Sequence, residues 1–61
     1  MSVFKIDAPY YEGTVSLKSE DIVAVFRSER MGSITFVLKN GSRIRAVLNR
    51  KSENCAHAAG L

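Results

Sequence analysis

A chain of 61 residues, 46% hydrophobic and 25% charged, has a globular composition and the length of one small domain, residues 1–61. A domain of this size buries only about 60% of its unfolded surface, so its core is thin and a staple is expected. A single cysteine and a single histidine exclude an internal disulfide and a four-ligand metal site, which leaves oligomerisation as the staple, and a formal net charge of +3 mildly favours polyanionic partners.

The opening residues carry neither a basic leader nor a continuous apolar run, and no stretch approaches the roughly 18 apolar residues of a membrane span, so a cytoplasmic protein is expected. A first strand is predicted over residues 3–7, ended by Ala8-Pro9 because proline lacks a ladder donor. Tyr10 and Tyr11 follow it, either as surface aromatics or as a lid over the open end of the sheet. Strands are then predicted over residues 13–17, 33–39 and 42–48, where apolar and polar residues alternate, and over 22–28, which is β-branched and aromatic. Turn residues separate them. The tail from residue 49 changes character: β-branched residues stop, alanines appear, and Gly60 stands where a C-terminal cap would be useful. It reads as a short helix over residues 52–59, with Cys55, Ala56 and Ala59 as its apolar side, or as a disordered tail.

Register assigns the faces. A two-residue Asn40-Gly41 loop would mix core and solvent sides of the last hairpin, whereas the three-residue loop Lys39-Asn40-Gly41 pairs Phe36 with Ile44. Gly41 suits the left-handed position of the bulge that such a loop contains. Upstream, a four-residue loop 18–21 pairs Leu17 with Ile22 and Val15 with Ala24, and the turn at 29–32 aligns Phe26 with Ile34. The expected inner face is therefore Val15, Leu17, Ile22, Ala24, Phe26, Ile34, Phe36, Leu38, Ile44, Ala46 and Leu48. Opposite it lie Thr14, Ser16, Lys18, Thr35, the valines Val23, Val25, Val37 and Val47, and the cations Arg27, Lys39, Arg43 and Arg45. Valine suits any strand, but an apolar patch rimmed by Arg and Lys is also the composition of an interface. The four valines are the candidate interface.

Catalysis is not expected. Cys55 and His57 stand two apart on a helix and point away from each other, so they make neither a nucleophile pair nor a metal clip. Glu20 and Asp21 are explained by turn chemistry, and the glycines are scattered. No catalytic residue, metal ligand, small-molecule site or cofactor is assigned. Arg27, Lys39, Arg43, Arg45, Arg50 and Lys51 are the candidate binding residues, a basic stripe over the last hairpin and the turn after it. Stacking platforms for single strands are poorly placed in this reading, since Phe26 and Phe36 are assigned to the core.

The stretch "SLKSEDIVAVFRSERMGSITFVLKNGSRI", residues 16–44, resembles the first strands of LytTR-type DNA-binding domains and a small flagellar-regulator family of similar length. The shared features are an acidic step into an apolar strand, a charged turn, an alternating strand and a glycine turn. LytTR-type domains are longer, and their DNA-reading segments have no counterpart here, so the resemblance implies a regulatory, non-enzymatic module and no particular contact residue. The sequence thus predicts a mainly β protein: a small antiparallel meander of four or five strands, curled or barrel-like, with a short C-terminal helix or disordered tail. Its expected role is a homo-oligomeric regulatory module that binds nucleic acid or protein. The alternative is a phage or mobile-element protein that inhibits a host enzyme by docking on it.

Overall fold

The computed structural model describes residues 2–11 and 13–61. Five strands and one helix follow in chain order: β1 (Val3–Ala8), β2 (Gly13–Lys18), β3 (Ile22–Ser28), β4 (Ser33–Leu38), β5 (Arg43–Val47) and α1 (Arg50–Ala58). Single 3-10 turns at Pro9–Tyr11 and Ser19–Asp21 join β1 to β2 and β2 to β3. All pairing is antiparallel, in a two-stranded sheet β1-β2 and a three-stranded sheet β3-β4-β5, so the described residues are mainly β and form no closed barrel.

The last hairpin has the three-residue loop. Phe36 pairs with Ile44 and Ile34 with Ala46. Gly41 donates its N–H to the Leu38 carbonyl at 2.9 Å from a left-handed φ of +87°, which only glycine adopts without strain. Asn40 Oδ1 accepts from the Ser42 N–H at 2.9 Å and rigidifies the tip.

Two expectations about register are overturned. Leu17 and Val15 do not pair with Ile22 and Ala24, because the backbone groups that would close that hairpin have other partners. The Ser19 N–H donates to the Ser2 carbonyl at 3.1 Å, and the Asp21 carbonyl accepts from the Lys39 N–H at 2.9 Å. The meander therefore breaks between β2 and β3. Nor does Phe26 pair with Ile34. The turn at Gly32, φ +64°, closes on the pair Ser28 and Ser33, which sets Arg27 opposite Ile34 and Phe26 opposite Thr35. At the other end of β3, Ile22 still pairs with Leu38, and the one-residue mismatch is absorbed by a bulge at Val23. A one-residue slip exchanges faces, and this one does: Val25 turns toward the core, while Phe26 projects outward and is 63% exposed.

Ile6, Ala8, Leu17, Ile22, Ile34, Phe36, Ala46, Cys55 and Ala56 form the core, with Phe4, Val15, Val25, Leu38, Ile44, Leu48 and Ala59 packed around it. The β1-β2 hairpin and α1 cover one face of the three-stranded sheet, with β1 lying against both β5 and α1. The helix starts two residues before the expected position because Asn49 caps it. Asn49 Oδ1 accepts from the Ser52 N–H at 3.0 Å, and the Asn49 N–H donates to Ser52 Oγ at 2.9 Å, a reciprocal cap that satisfies donors the helix leaves open. At the far end Gly60 and Leu61 donate to the carbonyls of His57 and Ala56, both at 2.9 Å, with Gly60 at φ +79°. This double closure is the Schellman arrangement. The tail is a helix capped at both ends.

Candidate binding surface

The β1-β2 hairpin and α1 share one side of the three-stranded sheet, which leaves the other side open. Its residues fall in three cross-strand rows: Ala24, Val37 and Arg43; Phe26, Thr35 and Arg45; Ser28, Ser33 and Val47. Neighbouring strands lie about 4.8 Å apart and successive rows about 7 Å, so Phe26 and Arg45 stand about 10 Å apart across the sheet. None of the nine side chains is acidic.

Along β5 this face is completed by the Pro9–Tyr11 turn, which packs against that strand. The Arg45 guanidinium lies 5.2 Å from the centroid of the Tyr10 ring, within cation–π range. Its Nη2 is 3.6 Å from Met31 Sδ. Tyr11 donates its hydroxyl to the Arg43 carbonyl at 3.3 Å. The two tyrosines therefore bracket the edge of β5 and do not lid the sheet. Tyr10 and Met31 remain 71% and 66% exposed. Both line a cleft of about 180 Å³, together with Gly32, Ser33, Arg45 and Val47.

The sequence-predicted binding residues do not all share this face. Arg43 and Arg45 do, and Lys39 is exposed at the tip of the β4-β5 turn, beside a second depression of about 220 Å³ formed with Asp21, Leu38 and Asn40. Arg27 does not. The slip in β3 turns it to the covered side, where Nε donates to Glu53 Oε1 at 2.9 Å and Nη2 to the Leu61 carbonyl at 3.2 Å. Arg50 and Lys51 are exposed in the first turn of α1, outside the three rows. Of the candidate interface valines, Val37 and Val47 are half-buried on the open face and Val23 is exposed at the bulge. Val25 is withdrawn into the core margin. Phe26 is the residue that sequence reasoning missed: nothing local in "IVAVFRS" announces a bulge, and strict alternation buries it.

Cys55 is fully buried, and burial pushes its thiol up from the ordinary value. His57, by contrast, is exposed. Among the described residues no group of three or more His, Cys, Asp or Glu side chains could hold a metal ion. No described helix is long and apolar enough to cross a membrane.

The chain matches no protein-family model, no curated protein and no solved structure. A sheet face whose nine cross-strand positions hold no acid, with two cations on one strand and exposed aromatic rings at Phe26 and Tyr10, can neutralise phosphates and offer π-faces in the same footprint.

Proposed function

We propose that the protein is a small, non-enzymatic regulatory binding module of the cytoplasm, homo-oligomeric, whose open sheet face takes nucleic acid. The observation that carries this reading is the pairing of Arg43 and Arg45 on one strand, with Tyr10 stacked on the second of them and Phe26 bare in the same row. The resemblance of residues 16–44 to the first strands of LytTR-type domains supports a regulatory role. So does the absence of acidic side chains from the nine positions of the face.

The test is a salt titration of binding to labelled nucleic acid, with wild type and with Arg43→Gln combined with Arg45→Gln. The double variant is expected to bind more weakly and to flatten the dependence of log affinity on log salt by about 0.9 per lost phosphate contact on duplex DNA, or about 0.7 on a single strand. Its melting temperature should stay within a few degrees of wild type, because exposed charges add little to stability. Unchanged affinity and slope would sink the proposal.

A second reading is favoured by one observation, the exposure of Val23, Phe26 and Met31. Exposed apolar side chains rimmed by arginine also suit docking on a protein, including the inhibition of a host enzyme by a phage or mobile-element product. Binding through such a surface would persist at salt concentrations that strip nucleic acid from the arginines.

A further inference from the structure

We infer that the nucleic acid is single-stranded, with unpaired bases stacking on Phe26 and against Tyr10 beside the Arg45 cleft; this rests on the nucleic-acid reading above. The open face has the wrong relief for a duplex. Between Phe26 and Arg45 the row is filled by Thr35, and the next row by Ala24 and Val37, so the centre is low and nothing projects as a ribbon or helix into a groove. Bases inside a duplex are already stacked and offer no π-face to an exposed ring. Unpaired bases do.

Two rings are available. Phe26 has no described partner over its outer surface and is 63% exposed, although a phenylalanine on a strand normally packs inward. The turn that closes on Ser28 and Ser33 turns it out, and the bulge at Val23 lets Ile22 stay inside. Tyr10 has one side occupied by the Arg45 guanidinium and is 71% exposed, so its other side is free. Arg45 is held between Tyr10 and Met31 Sδ before any ligand arrives, which reduces the ordering cost of using it. The cleft it lines, about 180 Å³, falls below the roughly 300–1,000 Å³ of a small-molecule site. It suits one planar ring system entered from the side. Across the sheet Phe26 stands about 10 Å from Arg45, on which the Tyr10 ring lies, with Arg43 about 7 Å from Arg45 along β5 to meet the phosphate between bases. Charge complements this occupant: the formal net charge is +3 and none of the nine cross-strand positions of the face is acidic.

The experiment is fluorescence anisotropy with three labelled probes of one mixed sequence: single-stranded DNA, single-stranded RNA, and the DNA duplex, at the same salt. The single strands are expected to bind at least tenfold tighter than the duplex, and the better of the two identifies the natural sugar. Phe26→Ala and Tyr10→Ala should each weaken single-strand binding by roughly five- to 150-fold, the range that base stacking supplies, and leave the salt slope unchanged. Phe26→Tyr should restore it. The chain has two tyrosines and no tryptophan, so in a Tyr11→Phe variant ultraviolet emission reports Tyr10 alone, and a stacked base should quench it. Equal affinity for duplex and single strands, with binding that still depends on Arg43 and Arg45 but not on the rings, would overturn the single-strand inference and keep the nucleic-acid reading. No binding to any probe would remove both.

Discussion

The Arg27 guanidinium ties the end of β3 to the C-terminal end of the chain through Glu53 and the Leu61 carbonyl. The ion pair is about one-third exposed on each side, 32% and 36%, and at that exposure solvent screening leaves it worth at most about 1 kcal/mol. Arg27→Gln should therefore lower stability by less than that and leave nucleic-acid affinity within about twofold of wild type, because the side chain is absent from the open face. Melts and anisotropy measured side by side decide it; a large loss of affinity would return Arg27 to the binding stripe. Arg43 and Arg45 were legible on the outer face from alternation alone, since the Lys39-Asn40-Gly41 loop fixes the parity of β5. Arg27, Val25 and Phe26 were not, because parity in β3 is set from two turns that disagree by one residue.

At the scale of elements, the helix depends on one polar junction. Asn49 caps α1 through Oδ1 and at the same time donates Nδ2 to Asp7 Oδ2 at 2.9 Å, which joins the helix start to β1. Asn49→Ala removes both contacts and should cost about 1–2 kcal/mol, the upper part of the usual range for a lost cap. Asn49→Asp separates them. Aspartate caps as well as asparagine does, but it sets a carboxylate against Asp7, so this variant should also be destabilised at neutral pH. Asp7→Asn in the same chain should recover most of the loss by supplying a donor. Chemical denaturation of the four species forms a double-mutant cycle, and additive effects would show that the Asp7 contact carries no energy. The reciprocal cap was present in the sequence as Asn49 followed three residues later by Ser52, whose hydroxyl stands where the commoner pattern has the side chain of Glu or Gln. Its link to Asp7 spans 42 positions, and no local reading reaches that far.

At the scale of the molecule, the open edge of the three-stranded sheet is the feature with the largest consequence for assembly. Among the described residues β3 pairs only with β4, so a row of its backbone N–H and C=O groups lacks a strand partner there. Edges are usually guarded by charge. Here the only charged residue of "IVAVFRS" is Arg27, and its side chain is drawn off to Glu53. A core that includes Ala8, Ala46, Cys55 and Ala56 contains many small side chains, and a domain this small gains from any further burial. Antiparallel pairing of two β3 strands about a two-fold axis would join the sheets of two copies into six strands, set their open faces side by side and double the footprint offered to one strand of nucleic acid. The protein is therefore expected to sediment as a dimer at tens of micromolar, roughly the range where weak dimers show, with an unfolding midpoint that rises with protein concentration. Val23→Lys is the variant to compare. Val23 is 54% exposed at the bulge and lies outside the core, so a lysine there adds a guarding charge without removing packed volume. It should shift the mass toward monomer and leave the fold intact by circular dichroism. A wild-type protein that sediments as a monomer under these conditions would show that the bulge at Val23 is itself the guard, twisting the edge away from a second strand, and the six-stranded arrangement would be wrong.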